Sequence, residues 1–345
     1  MLTTKSDVGQ LDLPDGLVSP IENLQVTIKQ SDETPGNWDA FASRCGASFR
    51  ASYYGSQAWQ FDYHLWRRMR RVCCFIQAGG VQTKIAQVAI GFGRKLRVFG
   101  EGIQLLPEFQ FLWKHVMTAL LKYYGKGEYH YGSPWSLEPC RRQEFGDIAG
   151  VNVRHAQKIT VFAVDFAQWD NWEAYFKSIS TNAKRNAKRA EKTYEDLGIE
   201  QKSGLRAVRC AWNLFALRRQ LHTRKSIAFS YLKLILRFIL RIAAMREGMF
   251  IALAHGHQQP IAGFGGIAFG GNTYYLESGS REDNHGGMWY LLLAMVKQAY
   301  ERAPDGQFVT GYHRDNTEFD KGLDFSRSQC RATANITSEL IFSYT

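Results

Sequence analysis

Three stretches after residue 260 hold the residues best suited to chemistry. In PIAGFGGIAFG, Gly263, Gly265 and Gly266 fall inside a strand-like run, where glycine weakens packing but admits a bulge or the close approach of a ligand. In SGSREDNHGGMWYLLLAMV, a polar loop leads into a helix starting near Gly287, with His285 and Gly286 just before it. Free N–H groups at such a start suit a phosphate or another anion, although an ordinary loop reads the same way. In GYHRDNTEFDKGLDF, Tyr312, His313, Arg314, Asp315 and Lys321 follow a strand directly, a dense polar group flanked by core. His313 there is either a rim histidine with its own partners or a ligand contact.

A second kind of chemistry is electrostatic. On a helix spanning Asn182 to Tyr194, Lys184 and Lys188 lie four apart, as do Arg185 and Arg189. Like charges at this spacing repel, so the stripe carries a local cost that an anion would relieve. A solvated helix face and a bound phosphate, from a nucleotide-carrying substrate or RNA, both fit. From Leu205 to Arg246 there are ten basic residues, Arg224 among them, and no acidic one. Lys233, Arg237 and Arg241 repeat every four residues, a stripe expected opposite Leu234, Phe238 and Ile239. That pattern is an amphipathic helix with a solvated basic edge, or an RNA contact.

The elements that must position these groups are legible from periodicity. Asn23 to Gln30 alternates, and a helix opens near Trp38. Val72 to Ala78 and Lys84 to Phe92 read as strands joined by Gly79-Gly80, a hairpin signal. Glu108 to Tyr124 has the 3.6-residue period of a helix. A strand, Ile159 to Phe166, is followed by a short helix, a break at Ser178 to Thr181 and a second helix ended by Gly198. Helices at Val208 to His222 and Ser230 to Arg246 precede three strands, the last two joined at Gly270-Gly271-Asn272. A helix from Gly287 to Arg302, the strand QFVTGYH, a short helix near Thr317 to Leu323 and closing strands complete the chain. The order predicts an α+β fold rather than repeated βαβ units, and the two halves share a similar order of elements.

Composition narrows the class. The 345 residues are 45% apolar and 14% aromatic, which excludes disorder as the main state and allows two domains with full cores. The predicted division is a loose tail over 1–21, a first domain over 22–158, and a second over 159–345 that holds the basic helices of 182–246. The net charge of +11 makes a polyanionic partner a first expectation. Six scattered cysteines without a C-x-x-C pair argue against structural zinc or a disulfide framework, so no metal is expected. The start carries three aspartates and no apolar run, unlike a secretory signal. Leu232 to Met245 is too short and too charged to span a bilayer. The expectation is a soluble, reduced, cytoplasmic protein.

The run from Tyr175, YFKSISTNAKRNAKRAEKTYEDLGIE, followed by the stretch from Ile251 to Phe325, resembles the Fem-like branch of the GNAT acyltransferase superfamily. The resemblance rests on Val164-Asp165-Phe166, Arg185 with Arg189, Gln259-Pro260-Ile261-Ala262, Tyr275 with Gly279, and Lys321, and it covers about half of the chain. GSQAWQFDYHLW and GSPWSLEP look like the degenerate first domain of that branch. The resemblance implies tandem GNAT-like domains, each a mixed, mostly antiparallel sheet flanked by helices. It also implies acyl transfer from an activated ester or thioester to an amine, without metal or covalent intermediate. Fem-like members use aminoacyl-tRNA; others in the branch use acyl-CoA. Loops that bind CoA read Q/R-x-x-G-x-G/A, whereas here Glu282 and Asp283 would repel a pyrophosphate and only the final glycines agree.

An ester already has a good leaving group, so the protein chiefly aligns the amine and stabilises the oxyanion. Backbone N–H groups at a bulge near Tyr275 to Gly279 are candidates for the latter. Glu277, alternating with Tyr275, is a possible base for the ammonium, or a buried hydrogen-bonded glutamate. By resemblance Lys321 sits near developing charge and Arg185 and Arg189 touch acceptor phosphates; Lys184, Lys188 and Arg224 are assigned to the same role on their charge. His285, Gly286, Gly287, Tyr312 and His313 are assigned to the donor. The expected function is aminoacyl transfer from aminoacyl-tRNA, whose acceptor arm the basic helices from Val208 to Arg246 would receive, to the amine of a small molecule or peptide, with no cofactor. An acyl-CoA-dependent N-acyltransferase and a non-catalytic RNA-binding protein are the alternatives.

Overall fold

The computed structural model describes residues 25–58, 69–78, 81–226, 228, 230–314 and 318–345, without the side chains of residues 78 and 318–322. The predicted tail, the Gly79-Gly80 turn and Asp315 lie outside the described residues. The first half runs β1 (Val26–Gln30), α1 (Pro35–Arg44), α2 (Tyr53–Ala58), β2 (Met69–Ala78), β3 (Val81–Phe92), β4 (Leu96–Phe99), β5 (Gln104–Leu105), α3 (Trp113–Tyr124), β6 (Gly127–Tyr131) and α4 (Arg142–Gly146). The second continues with β7 (Val151–Asp165), α5 (Trp172–Ser178), α6 (Thr181–Thr193), β8 (Gly198–Ser203), α7 (Val208–Arg224), α8 (Tyr231–Met245), β9 (Met249–Gly256), β10 (Gln259–Phe269) and β11 (Asn272–Ser280). It ends with α9 (Gly287–Arg302), β12 (Gln307–His313), α10 (Glu318–Gln329) and β13 (Thr333–Tyr344).

The strands join in one sheet, ordered β1-β2-β3-β4-β6-β13-β7-β12-β11-β10-β9-β8, with β5 alongside β3. Two pairs are parallel, β4 with β6 and β11 with β12, each bridged by a helical crossover through α3 or α9. The other described pairs are antiparallel, as predicted for a mixed α+β fold. The last strand sews the halves together. β13 pairs with β7 from Thr333 to Tyr344 and, over Leu340 to Tyr344, also with β6. Residue 158, the predicted domain boundary, falls inside the fifteen-residue β7, which pairs with β13 from Val151 to Ala163 and with β12 from Thr160 to Asp165.

Alternation along β9 splits the second half into two cores. Phe250, Ala252 and Ala254 pack under α6 and α9, while Met249, Ile251 and Leu253 pack under α7 and α8. The first half closes its own core around Trp113, Leu120, Tyr129 and Phe342.

Several predicted boundaries moved. Pro107–Leu112 is a 3-10 segment, and the α-helix begins only at Trp113, because proline at the start admits the tighter turn. α6 ends at Thr193 with Tyr194 extended; Gly198 opens β8 instead of stopping the helix. α10 continues to Gln329, and the closing strands are one twelve-residue strand. The Gly270-Gly271 turn is as expected, with φ of +57° and +80° that only glycine adopts easily.

Candidate active site

β11 and β12 are paired only at Thr273–Tyr274 with Phe308–Val309. Beyond these residues the strands part, and a cavity of about 600 Å³ opens between Tyr275–Ser278 and Thr310–Tyr312. Each strand bulges where they separate. On β11, Gly266 faces Tyr275 and Gly265 faces Glu277, leaving Leu276 as the extra residue. On β12, Val309 faces Ala163 and Gly311 faces Phe162, leaving Thr310 extra. A bulge interrupts a ladder and re-aims its flanking groups, and the residues that follow each bulge lie outside the β11–β12 pairing.

The glycines of β10 serve packing rather than a ligand. A Cβ on Gly263 would lie 2.9 Å from Leu214 of α7, and one on Gly266 2.5 Å from Phe264. On β11, a Cβ at Gly279 would lie 2.3 Å from the backbone nitrogen of Arg218. Small residues here let α7 press against the sheet, which sets Arg218 beside Glu277.

Six arginines line the cavity against one carboxylate: Arg50 from the first half, Arg218 of α7, Arg237 and Arg241 of α8, Arg314 after β12 and Arg327 of α10, facing Glu277. Glu277 is buried and bridges two of them, taking Arg218 at 2.8 Å on one oxygen and Arg241 on the other. Carboxylates behind the wall fix three more: Arg50 on Glu101 at 2.9 Å, Arg314 on Glu339 at 3.0 Å, and Arg327 on Asp324 at 2.9 Å. Arg237 has no carboxylate partner among the described residues. Trp135 supplies an aromatic wall, edge-on to Tyr312 at 5.1 Å.

The surroundings tune nearby groups. Burial pushes the Tyr275 hydroxyl above its usual range, partly offset by Ser278, Arg218 and Arg327, so the phenol keeps its proton and remains a donor. Burial, and then the charges of Arg314 and Arg50, push His130 down to about 4. Burial raises Glu101 and Glu339 despite their arginines. The arrangement can hold a planar anion in guanidinium forks, while the Tyr275 ring stacks on Phe264 at 4.8 Å beside the core under α6 and α9.

The predicted residues divide into three places. Glu277, Tyr275 and Tyr312 line the cavity. His313 stands behind it, with Nε2 3.2 Å from Asp324 and its ring 5.3 Å from Phe162. Lys321 lies in α10, and its side chain is outside the described residues. Arg224 donates to the Ser280 carbonyl at the end of β11. His285, Gly286 and Gly287 begin α9 away from the cavity lining, where the expected free N–H groups are taken. Asn284 Oδ1 accepts from Gly286 and Met288, and its carbonyl accepts from Gly287. Gly286 is required because a Cβ would lie 2.0 Å from the Asn186 carbonyl of α6.

α6 turns Ala183, Ala187 and Ala190 inward and lies on the sheet face opposite the cavity. Lys184 closes the end of α5 by donating to the Phe176 and Lys177 carbonyls, and Arg185 donates to Asn182. Lys188 and Arg189 are exposed. None of these four is tied to a carboxylate among the described residues. The expected stripe on α8 is displaced, because Ile239 is exposed and Ile242 takes its place inside with Leu234 and Phe238. Arg237 and Arg241 therefore face the cavity. Arg50, Trp135 and Arg327 are functional candidates that sequence reasoning missed; the first two come from distant loops of the first half and Arg327 from α10, and only the tertiary fold brings them here.

Residues 177–319 match the Acetyltransferase (GNAT) domain family. Among solved structures, the chain is similar to FemX (TM-score 0.69, 11% identity, covering 92% of this chain and 97% of that one). It is also similar to a conserved protein of unknown function from Bacteroides thetaiotaomicron (0.55, 11%, 92% and 100%) and to L-PGS from Bacillus licheniformis (0.50, 12%, 92% and 93%). No curated protein matches the sequence. The match identifies a GNAT acetyltransferase domain over residues 177–319, the part of the chain that holds the parted parallel strands. The chain's fold, over nine-tenths of its length, is the Fem-like one. No described helix is long and apolar enough to cross a membrane, and no described cluster of His, Cys, Asp or Glu could hold a metal.

Proposed function

We propose that this acyltransferase moves an aminoacyl group from aminoacyl-tRNA to the amine of a small molecule or peptide, in the cytoplasm where charged tRNA is made. The observation that carries the reading is the arginine-lined cavity where β11 and β12 part. It is suited to a substrate that bears a carboxylate or phosphate near its reacting group. The filled start of α9 favours tRNA over acyl-CoA, because a pyrophosphate there would have to displace Asn284 and lie against the Asn186 carbonyl. The exposed cations of α6, with Arg224 at the end of β11, are the proposed contacts for tRNA phosphates.

In this reading the amine nitrogen attacks the ester carbonyl carbon, the N–C bond forms, and the ester C–O bond breaks to release the ribose hydroxyl. Backbone N–H groups at the Leu276 bulge and the Tyr275 phenol stabilise the oxyanion. Both oxygens of Glu277 hold guanidiniums, so it orients Arg218 and Arg241, and the amine proton leaves through the departing ribose oxygen. Lys321 adds positive charge near the reaction centre, as its resemblance suggests.

The test incubates purified protein with an amine library and either tRNA charged with labelled amino acids or acetyl-CoA. Amide product that depends on charged tRNA and disappears with RNase supports the proposal. Product formed with acetyl-CoA alone, or tight RNA binding without product, defeats it.

A further inference from the structure

Half of the large apolar side chains exposed among the described residues lie on α7, α8 and the turn before them. They are Leu205 (78% exposed), Val208 (54%), Trp212 (65%), Leu232 (68%), Leu236 (52%) and Ile239 (56%). On α8, Leu232, Leu236 and Ile239 follow the spacing of one helical stripe, beside the buried Leu234, Phe238 and Ile242. The helix thus carries one broad apolar face that runs from the side packed toward β9 out to water. On α7, Val208 and Trp212 lie one turn apart, and Trp212 stacks on Tyr231 of α8 (5.8 Å, 21°), linking the two helices' outer surfaces.

The charge around this surface has one sign. Between Leu205 and Arg246 there are ten bases and no acid, and Arg209, Arg219 and Lys233 are exposed beside the apolar stripe. We infer that the outer face of α7 and α8 docks on an anionic phospholipid bilayer. α8 would lie flat in the headgroup region with Leu232, Leu236 and Ile239 among the acyl chains, Trp212 at the interface and the bases on phosphates. At fifteen residues α8 is suited to lie in the interface and too short to cross it. Aliphatic side chains fit this partner better than RNA, whose bases reward aromatic stacking. Because Arg237 and Arg241 line the cavity from the same helix, docking would bring its mouth to the lipid–water boundary.

The test is co-sedimentation of the full chain with vesicles of phosphatidylglycerol and phosphatidylcholine, against vesicles of phosphatidylcholine alone. The inference requires binding to the anionic vesicles at least tenfold tighter. It also requires that L236D/I239D lose at least tenfold of that binding while keeping the wild-type circular dichroism and unfolding midpoint. Should that variant fail to fold, K233E with R209E serves, and must weaken binding to anionic vesicles alone. Equal binding by the folded variants overturns the inference. So does absence of vesicle binding accompanied by a dimer that L236D/I239D dissociates, or by RNA binding that it abolishes.

Discussion

His130 offers a direct test of how tightly the arginine wall is built. It sits on β6, 8% exposed, and burial with the charges of Arg314 and Arg50 holds its pKa near 4 against an ordinary 6.5. Between those values the unfolded chain binds a proton that the folded chain lacks. The imidazole's contribution to stability is therefore complete above pH 6.5 and lost as pH falls toward 4. A difference of about 2.5 units corresponds to about 3 kcal/mol. Part-buried Glu138, pushed up to about 7 from 4.5, has the opposite sign, since its contribution is lost as pH rises through that window. The two slopes largely cancel in the wild type, so the informative quantity is a difference between proteins. For H130N, which cannot titrate, the stability of wild type minus variant, read from urea unfolding followed by circular dichroism, should fall by about 3 kcal/mol between neutral pH and pH 4. A difference that stays constant within about 1 kcal/mol would mean that the ring titrates normally. Neither burial nor the charges of Arg314 and Arg50 would then act on it, and the electrostatic picture of the wall would be wrong.

Other substitutions probe the remaining parts. E277Q strips Arg218 and Arg241 of their shared counter-charge and should cost about 1–3 kcal/mol, less than for fully buried arginines because both are partly exposed. Phosphate should raise the melting temperature of E277Q more than that of wild type, and equal shifts would deny that the cavity binds anions. G279A places a Cβ against the α7 backbone and should destabilise by about 1–3 kcal/mol in chemical denaturation, with loss of transfer because Arg218 is displaced. R237Q, at an arginine without a carboxylate partner, should leave stability within about 0.5 kcal/mol while raising KM for an anionic substrate; an unchanged KM removes it from the site. K321M should lower turnover much more than affinity, and unchanged turnover dismisses its electrostatic role.

Local information carried the sequence reading a long way. The 3.6-residue and two-residue periods located most helices and strands, because burying one face imposes its spacing on the chain wherever that face meets a core. The Gly270-Gly271 turn and the concentration of bases from Lys177 to Arg246 were equally local, and Tyr275, Glu277 and Tyr312 could be singled out on strands that do border the cavity. Several other features depended on partners distant in sequence. The parting of β11 from β12 is a matter of how many residues pair across a crossover, which neither strand encodes alone. The glycines of β10, readable as room for a ligand, proved to be room for α7 at Gly263 and Gly265 and for the Phe250 and Phe264 rings at Gly266, since what approaches a missing Cβ is decided by the neighbour. Asn284 filled the start of α9 because a loop can cap its own helix. Arg50 and Trp135 met Arg218 and Arg241 only because the halves fold against each other. Charge and period belong to the chain as a string; which charges share one cavity belongs to the packed molecule, because proximity there is set by sheet order rather than by distance along the sequence.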